Sequence, residues 1–79
     1  NDQVKSKLLN NIDINNIELG NLVYFEENNF TTHVGIFINK HEYLHSSGSV
    51  KVNSINKTSD NYDERLFEKI RGFYKLKAL

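Results

Sequence analysis

The chain has 79 residues, no cysteine, and ten basic residues that balance ten acidic ones. This length limits it to one small domain, and the missing cysteine excludes a disulfide framework or a thiolate zinc site within these residues. The zero net charge excludes a broad electrostatic field for nucleic acid or an anionic membrane, and no apolar run approaches the ~18 residues of a membrane span.

The first predicted element is a short N-terminal helix over residues 2–9. Asp2 is a suitable N-cap, and Val4 and Leu8 lie one turn apart on one face. Residues 12–17 are predicted to follow as a linking segment whose apolar side chains pack against a sheet.

From residue 19 onwards the pattern is that of β-strands. Strands are predicted at residues 22–25, 33–38, 42–46, 50–55 and 70–76, with a helical turn within residues 62–68 before the last one. Residues 33–38 are apolar on both faces, which is typical of a central strand. The expected fold class is therefore α+β, with a short N-terminal helix and then an antiparallel sheet of about five strands.

Three histidines are the main candidates for chemistry. His33 opens the central strand, His45 lies near the end of the next strand, and His41 lies in the turn between them. Because an imidazole has a pKa of ~6.5, it serves as a base near neutral pH, for example to a cysteine thiol, and a second polar group can orient it. An ordinary core or surface histidine is the competing interpretation for each of the three, above all for His41.

His33 and His45 can act together only if their side chains lie on the same face of the hairpin. Side chains alternate along a strand, and cross-strand partners share a face. A two-residue turn at Lys40 and His41 would pair Ile36 with His45 and would direct His33 to the other face. An odd-length loop or a bulge restores a shared face. The sequence permits both arrangements.

Zinc binding is the alternative use of these side chains. His33, His41, His45 and Glu42 are all possible ligands. The spacing of His41 and His45 suits a helix, whereas their segment has the pattern of a strand. We therefore expect neither a metal site nor a cofactor.

Four segments, in this order, resemble the NlpC-type cell-wall cysteine peptidases. Residues 17–25 (IELGNLVYF) resemble the family's Leu-x-x-Gly-Asp-Leu-Val-x-Phe signature, and residues 33–38 (HVGIFI) resemble its His-Val-Gly-Ile-Tyr strand. Residues 42–48 (EYLHSSG) are similar to its Lys-Phe-Ile-His-Ala-Ser-Ser-Gly segment, and residues 62–71 to the end of the domain, where an aromatic residue and arginines precede the last strand. The resemblance covers residues 17–76 and identifies residues 1–79 as the C-terminal part of a single such domain.

This resemblance implies a papain-like fold and cleavage of the stem peptides of bacterial peptidoglycan. It implies that His33 is the catalytic base, that His45 is the third, orienting residue, and that Ser46 and Ser47 lie where substrate passes. Gly35 would leave room beside the catalytic face, with a bulge or a packing accommodation as the alternative. The resemblance further implies a secreted, periplasmic or cell-surface protein whose partner is a peptide and not nucleic acid.

The chain departs from the family pattern in three ways. The family nucleophile is a cysteine at the start of an upstream helix, and these 79 residues contain none. We therefore expect them to be inactive alone and to need the N-terminal half of the same domain as a partner. Asn21 replaces the usual aspartate, and the turn before Glu42 lacks the usual glycine. The alternative function is non-catalytic: binding of cell-wall peptides through the same face, or a small β-barrel binding module.

Overall fold

The computed structural model describes residues 9–46 and 48–76, which form one six-stranded antiparallel sheet. The order of the strands in the sheet is β1-β6-β2-β3-β4-β5. A 3₁₀ helix, Ile14–Asn16, follows β1, and a short α-helix, α1, Glu64–Glu68, precedes β6. The strands are β1 Leu9–Ile12, β2 Leu22–Glu27, β3 Phe30–Phe37, β4 Glu42–Ser46, β5 Val50–Ser54 and β6 Ile70–Leu76.

The side chains of β2 alternate between a buried and a half-buried face, which shows how this strand lies against the core. Val23 and Phe25 are fully buried, while the residues between and beside them are only half-buried. The chain then turns into β3 at Asn28 and Asn29, whose φ angles of 57° and 70° lie in the left-handed region. Asparagine tolerates this region better than most residues, so the Asn-Asn pair encodes a tight hairpin.

After β5 the chain returns across the sheet, because β6 lies between β1 and β2. The return passes through α1, whose N-cap Asp63 accepts a hydrogen bond from the backbone N–H of Leu66 at 3.1 Å. Leu66 and Phe67 pack against the core from this helix. β6 then pairs antiparallel with both of its neighbours and completes the sheet.

The hydrophobic core lies on one face of the central strands. Apolar residues from the segments before β2 and after β5 close it. Burial raises the pKa of the Tyr43 hydroxyl to about 12, and the neighbouring Asp63 and Tyr62 act in the same direction, so this core tyrosine stays protonated. The buried core residues are Ile17, Val23, Phe25, Phe37, Tyr43 and Ile55.

The opposite face of the sheet is also apolar but is more open. Leu22, Ile36, Leu44 and Val52 are cross-strand neighbours across β2 to β5, and Ile36 remains 42% exposed. The prediction of a central strand at residues 33–38 is confirmed for residues 33–37, since β3 has β2 on one side and β4 on the other; β3 begins earlier, at Phe30, and Ile38 lies beyond it. The described part of the chain leaves its second face largely uncovered.

The predicted α+β class is wrong. The sheet has six strands, and the only α-helix within residues 9–46 and 48–76 is the five-residue α1, so the described fold is nearly all β. Leu9, the last residue of the predicted N-terminal helix, begins β1, which pairs with β6. Residues 2–8 of that helix lie outside the described residues. Pairing with a strand more than 60 residues away decides the conformation of Leu9–Ile12, and local spacing does not reveal it.

Candidate active site

The structure brings His33 and His45 together on the core-bearing face of the sheet. Their ring centroids are 5.3 Å apart, and the ring planes are nearly parallel, at 17°. His33 comes from β3 and is partly buried, whereas His45 comes from β4 and is only 5% exposed. Two imidazoles from adjacent strands therefore form a pair at one end of the core.

The loop between β3 and β4 explains why the two rings share a face. Phe37 pairs with Tyr43, and the loop is closed by a hydrogen bond from the Ile38 N–H to the Glu42 carbonyl at 2.9 Å. Three residues, 39–41, thus form the loop. The side-chain oxygen of Asn39 accepts the backbone N–H groups of residues 41 and 42, both at 2.8 Å, and this stabilises the odd-length loop.

The odd loop sets the register of the pair. Ile36 opposes Leu44, not His45, so the two-residue turn at residues 40–41 is not formed. In this register β4 residue 45 falls on the same face as β3 residues 35 and 33. The sequence permitted two arrangements, and the chain adopts the one in which both histidine side chains lie on the same face.

Aromatic rings surround the histidine pair. Phe25 stacks on His33 with a centroid distance of 4.4 Å and an interplanar angle of 22°. The ring centroid of Tyr43 lies 5.1 Å from that of His45. Burial lowers the pKa of His33, and the nearby charges of His45 and Lys69 lower it further. The lowered pKa favours the neutral form of His33, which is the form that can accept a proton.

A series of hydrogen bonds through two asparagines connects the histidine pair to Glu42. His45 Nε2 lies 2.7 Å from the side-chain oxygen of Asn53, and the Asn53 Nδ2 group donates to the Asn61 carbonyl at 2.9 Å. The Asn61 side chain in turn donates to Glu42 Oε2 at 2.9 Å. Hydrogen bonds from Asn39 and Asn61 lower the pKa of the Glu42 carboxyl group. Asn53 and Asn61 were not predicted from the sequence, because asparagines are scattered throughout the chain. The β4–β5 register distinguishes Asn53, and the hydrogen bond from the Ser54 N–H to its carbonyl places Asn61.

Two ring nitrogens of the pair are buried without a hydrogen-bond partner: His33 Nε2 and His45 Nδ1. Buried polar atoms are paired in the great majority of cases, so such atoms call for an explanation. The two atoms belong to neighbouring rings, and no hydrogen bond joins them. A neutral imidazole beside a second, anchored imidazole has the composition of a base and the group that orients it.

The other candidates lie apart from this pair. His41 is exposed in the loop of residues 39–41, and in the described residues no group of three or more metal-binding side chains is close enough to hold a metal ion. Ser46 is exposed at the end of β4, and alternation directs it to the face opposite to that of His45. Ser47 lies outside the described residues. A role of the two serines in substrate binding stays a prediction.

Gly35 occupies a confined place between the strands of the site. A Cβ atom there would lie 3.0 Å from Val23 Cγ1, 3.1 Å from the Leu44 carbonyl oxygen and 3.2 Å from Tyr43 Cδ2. Of the two interpretations of this glycine, packing accommodation therefore has direct support from the neighbouring atoms.

A family model described as the NlpC/P60 family matches residues 1–71 of the 79. The chain belongs to the NlpC/P60 family. This confirms the resemblance, since the match includes the segments with His33 and His45. NlpC/P60 is a family of cysteine peptidases.

A search among curated proteins found no match to this NlpC/P60 chain. The described ranges of the chain include no helix of the length and apolar character that a membrane crossing requires. Family membership relates the chain to cell-wall peptidases.

Proposed function

We propose that this chain supplies the catalytic base and its orienting partner to a cysteine peptidase that cleaves stem peptides of bacterial peptidoglycan. The observation that carries the proposal is the pairing of His33 and His45 on one sheet face, 5.3 Å apart, in a chain of the NlpC/P60 family. The lowered pKa of His33 supports its role as the base. The nucleophile is a cysteine from outside these 79 residues, since they contain none.

The proposed reaction has two steps. His33 takes the proton of the thiol, and the thiolate attacks the carbonyl carbon of the peptide bond. The imidazolium of His33 then gives this proton to the departing amine as the C–N bond breaks, which leaves a thioester. In the second step His33 accepts a proton from water, whose oxygen attacks the thioester carbonyl. The C–S bond breaks, the acid leaves, and the imidazolium of His33 returns its proton to the thiolate, which restores the thiol and the neutral base.

His45 has the orienting role in this mechanism. It holds the far nitrogen of His33, so that the ring keeps one orientation throughout the cycle. Such a protein acts on the cell wall, and we place it in the secreted, periplasmic or surface-exposed class. One observation favours a second function, which is binding of stem peptides without cleavage: the chain has no cysteine.

The experiment uses the complete gene product that contains this sequence, with purified peptidoglycan as substrate. Intact mass and thiol titration first establish whether a cysteine is present outside these residues. We expect the parent protein to release new amino termini from peptidoglycan and the His33→Ala variant to release none. His41→Ala is the matched control, because His41 is an exposed loop histidine, and it should keep parental activity. Binding without cleavage by a thiol-free protein would instead establish the second function.

A further inference from the structure

Asn53 lies on β5, half-buried, between His45 and the backbone of Asn61. We propose that Asn53 is a positioning residue that fixes the ring proton of His45 on Nε2 and so leaves the lone pair of His45 on Nδ1, in the ring beside His33. The catalytic consequence rests on the proposed function, whereas the hydrogen-bond arrangement does not.

The orientation of the Asn53 amide is determined by its partner. The Asn61 carbonyl can only accept, and the Asn53 atom 2.9 Å from it must therefore be the NH₂ group. This carbonyl is itself held in place, because the Ser54 N–H donates to it at 3.0 Å. The side-chain oxygen of Asn53 is thus the atom that faces His45.

The amide orientation determines the tautomer of His45. A side-chain amide oxygen only accepts hydrogen bonds, so His45 Nε2, 2.7 Å away, must carry the proton. The other tautomer would place two lone pairs against each other at this distance. Neutral His45 therefore has its lone pair on Nδ1, the nitrogen that is buried without a partner.

His33 lies beside this acceptor. Its unpartnered buried nitrogen is Nε2, and its ring lies 5.3 Å from that of His45 in a nearly parallel plane. His45 Nδ1, with its lone pair fixed there by Asn53, is therefore an acceptor in the ring beside His33, as the orienting role of His45 requires.

The test is ¹⁵N NMR of the imidazoles in the complete chain, since nitrogen shifts distinguish a protonated from an unprotonated ring nitrogen. In the parent we expect His45 to be a single Nε2–H tautomer with a slowly exchanging ring proton. Asn53→Leu removes the acceptor and should give averaged nitrogen shifts and fast exchange at His45, with a shift at His33. Exposed His41 is the internal reference, and Asn10→Leu on the far edge strand β1 is the matched control.

Asn53→Asp separates positioning from folding. Its carboxylate still accepts from His45 Nε2, so the Nε2–H signal should persist even though the bond to Asn61 is lost. A parent with the proton of His45 on Nδ1, or an Asn53→Leu variant with parental His45 shifts, would overturn the proposal.

The activity arm uses the complete gene product. We expect kcat of Asn53→Leu to fall about tenfold at unchanged KM, which corresponds to one neutral hydrogen bond, and Asn53→Asp to lie closer to the parent. Parental kcat in Asn53→Leu, in a peptidase that depends on His33, would overturn the positioning role. A parent without peptidase activity would instead refute the proposed function and leave the tautomer result standing.

Discussion

The imidazole of His33 stacks on the ring of Phe25, its cross-strand partner in β2, with a centroid distance of 4.4 Å. This contact removes water from one face of the imidazole, and the second histidine covers another part of the ring. Both effects disfavour the charged form, so the pKa of His33 is lowered, with burial as the largest cause. The sheet that builds the core thus also lowers the pKa of the candidate base.

The lowered pKa of His33 predicts a pH dependence of stability. Its folded pKa is below the unfolded value of ~6.5, so the unfolded chain binds the proton more readily. The contribution of His33 to the free energy of unfolding is fully present above pH ~6.5. It is lost as the pH falls from there through the folded pKa of His33. We expect the free energy of unfolding, measured by urea titration between pH 7.5 and pH 5, to decrease over this window.

His33→Gln tests the assignment of this pH dependence. The variant has no titrating group at this position, so its stability should change less between pH 7.5 and pH 5. His41→Gln, at the exposed loop histidine, should keep the slope of the parent. If His33→Gln had the parental slope, the pH dependence would originate elsewhere in the chain.

Replacement of His45 should show whether its hydrogen-bonding groups, and not only its size, are needed to orient His33. In His45→Gln the side-chain oxygen can accept from His33, and the NH₂ group can donate to the oxygen of Asn53. His45→Ala removes the partner of the Asn53 side-chain oxygen and the ring that lies beside His33. In the complete gene product we expect kcat/KM to stay within about tenfold of the parent for Gln and to fall by about 100-fold or more for Ala.

Equal activity of the parent and His45→Ala would refute the orienting role of His45. A thermal unfolding curve of each variant serves as the control, because a loss of folding would reduce activity for a different reason. The comparison is informative only between variants that unfold cooperatively at similar temperatures.

Much of this fold was predictable because strand signals are local. The boundaries of β4 and β6 match the predicted residues 42–46 and 70–76, where strand-forming residues are bounded by polar or small ones. The edge strand β1 was not predictable, since its conformation depends on pairing with β6 at the other end of the chain. Three-dimensional pairing overrode the weak helical spacing.

The candidate site was predictable in its histidines but not in its geometry. The shared face depends on the loop length, and the loop length depends on the side chain of Asn39, which accepts two backbone N–H groups. Asn53 became visible only through its register with Tyr43, which places it on the core-bearing face. Asparagines at other positions have the same local appearance in the sequence.

Gly35 should be sensitive to the smallest substitution. The Cβ of Gly35→Ala would lie 3.1 Å from the Leu44 carbonyl oxygen, which is backbone and cannot move aside without a shift of β4. We expect the free energy of unfolding to fall by about 1–3 kcal/mol, as for other overpacked cores. Ser46→Ala, at an exposed position on β4, is the control and should change stability by less than about 0.5 kcal/mol. A Gly35→Ala variant as stable as the parent would mean that the strands separate freely at this point.

Asn21 stands where the family pattern has aspartate, and its contacts predict which substitutions it tolerates. It is only 8% exposed, and its side-chain oxygen accepts the Glu18 N–H at 2.8 Å, while its backbone carbonyl accepts the Phe37 N–H at 2.7 Å. The side chain acts here as an acceptor, a role that a carboxylate fills at least as well. Asn21→Asp should therefore stay within about 0.5 kcal/mol of the parent.

Asn21→Ala removes the acceptor and leaves the N–H of Glu18 in a partly buried turn without its partner. We expect a loss of about 1–3 kcal/mol in the free energy of unfolding, measured by urea titration at neutral pH. The backbone bond from Asn21 to Phe37 is retained in both variants, so the difference between them isolates the side-chain acceptor. If the alanine and aspartate variants were equally stable, the hydrogen bond would not be what favours an Asn or Asp at the start of β2.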